Sequence, residues 1–516
     1  MKTYNIIKGI FAATVLSVVF SGCSEDAMDR INKDHGHTQS VAARFILTDV
    51  ITSTAFSNAG GDFNTYLSAY IEYEVGVDNQ LYYAETRESE PTSSSTFNNT
   101  WNGLYSTLKS ARIIINQCSE GGIDHGNYVT KGMAEVLAAY NCALIADMFG
   151  DAPCSQAALI DENGSPVYLT PKMDKQEEIY TQAMQYLDDA IADLQKEDLI
   201  DPEAQDLLYQ GDAEKWLKLA YGLKARYTMH LLKRSANKDA DMEKVLEYVN
   251  NSFESAEEQA AFDVYDANNI NPLYGFFVAR AGLGASESMR SKLAEYNDPR
   301  LSRAFITQGT SGKEQAPGTA DNAVYAPNGT PEQGTSKYGT SLFMYSISAP
   351  TLLLSYHELK FLEAEALCRL ERDAKSALKD AVVAGLLNAE NSFTISRKEL
   401  GKTLINAASS ITEAEAESYF DNTIEAKYTA EPLKTTMTQK YFALWGASGE
   451  ATESYNDVRR MKGLGENFIE LKNPNSFPLR CPYGNSDTTT NAEVKAAYGN
   501  GQYVYSENVW WAGGSR

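Results

Sequence analysis

The chain has 516 residues, with 45 basic against 69 acidic side chains and a formal net charge of −24. That excess of negative charge repels a phosphate backbone, which excludes nucleic acid as a partner. Six cysteines in so long a chain make no disulfide framework, and the length alone supports a large apolar core. At the N-terminus, Lys2 and Lys8 come before an uncharged run from Gly9 to Phe20, then Ser21-Gly22-Cys23. A basic start, a short apolar stretch and small residues at a cut site describe an export signal. The stretch is too short for a membrane span, which takes about 20 apolar residues.

A cysteine directly after two small residues resembles the lipobox of bacterial lipoproteins, where that cysteine is acylated and becomes the mature N-terminus. The resemblance makes residues 1–22 a signal peptide and Cys23 the lipidation site. Ser24-Glu25-Asp26 is similar to the surface-export tag of Bacteroidota lipoproteins. More than one acyl chain anchors a soluble domain stably, whereas one binds only marginally. Residues 23–40 are polar and poor in apolar side chains, as a tether should be, which leaves 41–516 as a single domain. No later segment reads as a membrane span; uncharged runs such as GTSLFMYSISAPTLLLSYH are broken by Gly, Ser, Pro and Tyr.

Helical spacing then dominates. MAEVLAAYNCALIADMF places Met133, Val136, Leu137, Tyr140, Leu144 and Met148 on one face, and Gly150 and Pro153 end the helix. DKQEEIYTQAMQYLDDAIADLQ repeats the spacing with Ile179, Ala183, Leu187, Ala190, Ile191 and Leu194, and Asp174 with Glu177 reads as a variant capping box. Further helices are expected in EKWLKLAYGLKARYTMHLLK, LLLSYHELKFLEAEALCRL, KSALKDAVVAGLLNA and LKTTMTQKYFALWG. Alanine and glycine on their packing faces allow close approach. The expected fold is mostly α, with tetratricopeptide-like helical hairpins forming a superhelical scaffold, although no 34-residue consensus is legible. Residues 263–350 are rich in Gly, Asn, Pro, Thr and Tyr and read as a large irregular loop-rich lobe. Cys118, Cys142 and Cys368 fall in apolar helical patterns, as small buried hydrophobes do.

Enzyme signatures fail. Gly401-Lys402-Thr403 ends like a phosphate loop, but Ser396 stands where the first glycine belongs. Neither a GxSxG elbow nor an HExxH pair occurs. Asp266-Ala267-Asn268 begins like a calcium loop and has Asn271 at the place of its glycine.

Several segments in order resemble the SusD/RagB family, in its SusD-like branch. TWNGLYSTLKSARIIINQ carries the family's Trp-x-x-x-Tyr helix, and YNCALIADMFGDAPCSQA its Leu-x-x-x-x-Gly-Asp-x-Pro element. IYTQAMQYLDDAIADL, KWLKLAYGLKARYTMHL and YNDPRLSRAF follow in family order. SAPTLLLSYHELKFLEAEAL matches a Glu-x-x-x-x-x-Ala-Glu-Ala helix through Glu358, Ala364, Glu365 and Ala366. TQKYFALWG, ESYNDVRRMKG and FPLRCPYGNSDTTTN close the series, with Asp487 in a Gly-Asn-Ser-Asp setting as the local departure. In these segments Trp101, Tyr105, Trp216, Trp445 and Arg459-Arg460 read as packing residues, and Asp298-Pro299-Arg300 as a capped turn with a local ion pair. Trp510-Trp511 reads as a terminal strand packed on the domain.

The resemblance implies a lipid-anchored outer-membrane protein, not an enzyme, that binds oligosaccharides or peptides at the cell surface and passes them to a TonB-dependent barrel transporter. No cofactor is implied beyond the lipid on Cys23; whether calcium orders the loops stays open. Aromatic faces suit the apolar face of a pyranose, and tyrosine adds a polar tip. Candidate cleft residues are Tyr82, Tyr83 and Arg87 before the Trp101 helix, and Asn271, Tyr274, Phe277, Tyr325 and Tyr338 in the lobe. Two rivals remain: a surface glycoside hydrolase or peptidase, and a structural surface lipoprotein without a small ligand.

Overall fold

The computed structural model describes residues 41–95, 97–161, 164–308, 315–317, 324–498 and 502–516; Cys23 and the signal segment lie outside them. The chain divides into Met1–Ala42 and a compact unit Ala43–Arg516. In chain order that unit runs α1 (Ala43–Thr52), a π-turn Ser53–Ala59, α2 (Asp62–Tyr70), β1 (Glu74–Gly76), α3 (Asn79–Thr86), α4 (Phe97–Cys118), α5 (Tyr128–Phe149), α6 (Gln176–Asp193), α7 (Ala213–His230) and α8 (Lys238–Asn250). Then come β2 (Ala260–Phe262), α9 (Pro272–Arg280), β3 (Leu283–Ala285), α10 (Glu287–Glu295), β4 (Phe305–Gln308), β5 (Gln315–Pro317), β6 (Thr340–Ser341) and β7 (Thr351–Leu354). The rest is α11 (Tyr356–Arg369), α12 (Lys375–Leu400), α13 (Glu413–Tyr419), α14 (Glu425–Ala430), α15 (Pro432–Ala443), α16 (Ala451–Leu464), α17 (Asn485–Thr490) and α18 (Ala492–Tyr498).

The fold is mostly α, and successive helices pack as hairpins: α4 on α5, α5 on α6, α6 on α7, α7 on α8, then α8 on α11 and α11 on α12 and α15. Local chemistry fixes the ends. Asp212 caps α7 by accepting from Glu214 N and Lys215 N, and the Ser355 hydroxyl caps α11 through Glu358 N. Gly150 ends α5 at a φ of 75°, in the left-handed region that favours glycine.

Four details differ from the sequence reading. α5 is not one-faced: it is long and apolar enough to cross a membrane, and every residue of its apolar window is buried inside the protein. It is the central helix, covered by α1, α4, α6 and α7. The capping box at α6 sits one residue later, with Lys175 N–H donating to Glu178 Oε2 at 2.9 Å. Asp174 instead accepts from the N–H groups of Cys154 (2.8 Å) and Ser155 (2.6 Å), tying the loop after α5 to the start of α6. The Thr351–Leu354 run expected to open a helix is β7, paired antiparallel with β2. The Trp510-Trp511 pair lies in a 3-10 turn, not a strand, and Trp511 is fully buried.

Packing residues fall where expected. Trp101, Trp216, Trp445, Arg459 and Arg460 are buried. Asp298 accepts from Arg300 N at 2.9 Å and pairs with the Arg300 guanidinium at 2.7 Å. Gly401–Thr403 is a 3-10 turn at the end of α12. The Asp266 carboxylate closes its own turn by accepting from Asn268 N and Asn269 N. Residues 263–350 are less irregular than expected, because α9, α10 and β3–β6 build a small frame within them.

Candidate binding cavity in the loop-rich lobe

The frame is made of short antiparallel pairs. β1 pairs with β3, from Glu74 opposite Ala285 to Gly76 opposite Leu283. β4 lies between β5 and β6. The 324–339 chain is threaded between these pairs by backbone bonds: Ala285 N to Gly339 O, Gly339 N to Val324 O and Ala326 N to Ala285 O, each 2.8 Å. A side chain at Gly339 would put its Cβ 2.6 Å from Ile306 O, so only glycine lets the strand pass there. The lip 328–338 is tied down at several points. Gly334 N donates to Val77 O, and Gly329 N donates to Glu85 Oε1 at 2.6 Å. Burial pushes the Glu85 carboxyl up to about 7, against the pull of Arg87 and the Gly329 and Gly76 N–H groups. Burial likewise raises Glu74, at the base of the frame, to about 8, despite the hydrogen bond it accepts from Trp445 Nε1 at 3.1 Å.

Inside this frame is a cavity of about 270 Å³. Val77, Leu283, Gly284 and Ile306 give it an apolar floor. Phe277 from α9 and Tyr345 from the turn after β6 form one wall, their rings 5.4 Å apart and nearly perpendicular at 70°. Tyr338 and Lys337 stand on the lip; the Tyr338 hydroxyl accepts from Glu332 N at 2.8 Å, and Lys337 pairs with Glu332. Thr307, Gln315, Ser336 and Tyr345 also line the cavity, and among the described residues their side chains have no hydrogen-bond partner. Burial raises the Tyr345 phenol, which keeps it a neutral donor. The volume is just under the about 300 Å³ at which ordinary small-molecule pockets begin.

Of the candidate residues, the structure brings Phe277 and Tyr338 together at this cavity. It removes two others from the candidate set. Arg87 is buried at a left-handed C-cap, its guanidinium donating to Tyr70 O and Ser476 O. Asn271 is buried as the N-cap of α9, accepting from Leu273 N and Tyr274 N and donating to Ala349 O and Ala447 O. Tyr274 turns away, donating to Glu399 at 2.9 Å. Tyr325 packs edge-on against Phe305 under the Arg290 guanidinium and does not line the cavity. Tyr82 and Tyr83 form a T-shaped pair on α3, outside the cavity, with Tyr83 61% exposed. Tyr345, Thr307, Gln315 and Ser336 were missed. Their signal was only that they fall within the Tyr- and Thr-rich 263–350 stretch.

A larger groove of about 520 Å³ runs between the Glu254–Gln259 segment and α11–α13. Glu254, Glu257, Asp380, Glu413 and Glu417 line it, with the Tyr356 phenol and the His357 imidazole its ring-bearing side chains, so it lacks the paired aromatic wall of the lobe cavity.

The SusD-like family model, described as starch-binding and associating with the outer membrane, matches residues 36–483. A crystal structure of a SusD/RagB family protein from Bacteroides thetaiotaomicron is similar, with a TM-score of 0.89 and 70% identity over 92% of this chain and 100% of that one. A chitin-binding protein has a TM-score of 0.69 at 20% identity, over 91% and 99% of the two chains. A SusD homolog from Bacteroides fragilis gives 0.68 at 19%, over 92% and 100%. The last two likenesses establish the fold alone. No curated protein matches the chain. The ordered helical segments, the loop-lobe frame and these likenesses agree: the chain belongs to the SusD/RagB family of outer-membrane-associated nutrient-binding proteins, in its SusD-like branch.

Proposed function

We propose that this protein captures oligosaccharides at the cell surface, held to the outer membrane by lipid on Cys23, and delivers them to a TonB-dependent barrel transporter. The observation that carries the ligand class is the wall of the 270 Å³ cavity, where the Phe277 and Tyr345 rings stand beside Thr307, Gln315 and Ser336, polar side chains without a hydrogen-bond partner among the described residues. Aromatic area covers the apolar face of a pyranose, and the free hydroxyl and amide groups exchange water for sugar hydroxyls at little net cost. A chitin-binding protein of the same fold is in keeping with a glycan ligand. The protein acts by binding and release, with no covalent step. Titration calorimetry of the purified protein against a glycan panel and a peptide library should give saturable heat with a glycan and no products on analysis of the mixture. Product formation would favour a hydrolase, and no heat with any glycan or peptide would favour a structural lipoprotein.

A further inference from the structure

Cys142 lies on α5, and Cys154 follows the Gly150-Asp151-Ala152-Pro153 turn that ends it. Both are fully buried, and their sulfurs are 3.3 Å apart, inside the about 4 Å of ordinary side-chain contact. Among the described residues no other two cysteine sulfurs lie within hydrogen-bonding distance. The Cys154 backbone is fixed on both sides: its N–H donates to Asp174 at 2.8 Å, and its carbonyl accepts from Arg112 Nη1 at 2.9 Å. The Arg112 guanidinium also lies 4.0 Å from Cys154 Sγ; the contact with Cys142 and burial nevertheless raise the Cys154 thiol, and the same contact lowers Cys142.

We propose that Cys142 and Cys154 are joined by a disulfide in the mature protein, pinning the loop after the central helix to that helix. The inference rests on export to the cell envelope, where thiols are oxidised. Reaching a bond of about 2.05 Å closes the 3.3 Å gap between the two sulfurs by about 1 Å. The oxidant is a protein disulfide carrier. One cysteine thiolate attacks the carrier's disulfide, forming a mixed disulfide and releasing one carrier thiol. The other cysteine thiolate then displaces the second carrier sulfur. Two cysteine thiols thus become one disulfide, and the carrier leaves with both electrons and both protons as a dithiol. Because both sulfurs are buried, the exchange takes place during folding, before the 150–157 loop closes over α5.

The test is alkylation of the native protein under denaturing, non-reducing conditions, followed by peptide mass analysis, with cell fractionation in parallel. We expect label on Cys118, Cys368 and Cys481 and a linked Cys142–Cys154 peptide pair. Wild type should also lose melting temperature on reduction, whereas the Cys142→Ser/Cys154→Ser variant should not respond. Envelope-located protein with both cysteines labelled would overturn the proposal. If fractionation places the protein in the cytoplasm, the export reading fails by itself, and refolding with glutathione disulfide decides the pairing: a linked pair upholds it and two labelled thiols overturn it.

Discussion

His230 is buried between two carboxylates, its Nε2 2.6 Å from Glu453 and its Nδ1 3.5 Å from Asp147. Burial alone would lower its pKa, but Glu453 and then Asp147 outweigh burial and lift it to about 9. A raised folded value means that the charged imidazole stabilises fully below its ordinary pKa of about 6.5. That contribution is lost as pH climbs through about 9. Wild type should therefore lose on the order of 3 kcal/mol between about pH 7 and about pH 10, relative to a His230→Gln variant, in paired denaturation curves. Parallel pH profiles for the two proteins would contradict this. Glu365 has the opposite sign. Burial opposes its ionisation, but Arg460 and Arg369 hold it well below the ordinary carboxylate range, so its contribution is present at neutral pH and lost in strong acid. Glu365→Ala leaves Arg460 buried with only Asp457, at 2.7 Å, and should cost about 3–5 kcal/mol by urea denaturation at neutral pH. Residue roles of this kind were only partly legible. Arg87 and Asn271 have the chemistry of sugar-binding residues, yet each is buried and bonded to backbone carbonyls. Sequence shows a polar side chain without showing which carbonyl it meets. Phe277 and Tyr338, read from the sequence as cleft residues, both line the cavity.

Helix spacing showed the long elements well, since an apolar residue every three or four positions survives in any context. Small residues on the packing faces were equally readable, and the structure shows their use. A Cβ on Gly385 of α12 would lie 2.7 Å from Ala443 Cβ on α15, and one on Gly222 of α7 would lie 2.3 Å from Leu354 Cδ2. Gly385→Val should force α12 away from α15 and cost about 1–3 kcal/mol, read from the denaturation midpoint at unchanged slope. A neutral result would mean that these helices do not rely on close contact. What periodicity could not show was burial on every side of α5, because that depends on four neighbours arriving from distant sequence. Nor could it separate Thr351–Leu354 from the helix after it, since a short apolar run suits either strand or helix. The lobe frame was illegible for the same reason: β1, β3, β4 and β6 are two to four residues each and gain meaning only from partners far away in the chain.

At the scale of the whole molecule, a helical scaffold carries one lobe whose cavity presents aromatic rings and polar side chains. Anchoring is tested separately. Cys23→Ala should move the protein from the membrane fraction to the soluble fraction, and retention in the membrane would contradict a lipid tether. The most direct measurement is calorimetric titration of the Phe277→Ala/Tyr345→Ala variant beside wild type with the glycan that wild type binds. Circular dichroism would confirm that both proteins are folded. The cavity reading predicts affinity at least about ten-fold weaker in the variant, as removal of two rings from a sugar face requires; wild-type affinity in a folded variant would place the ligand elsewhere.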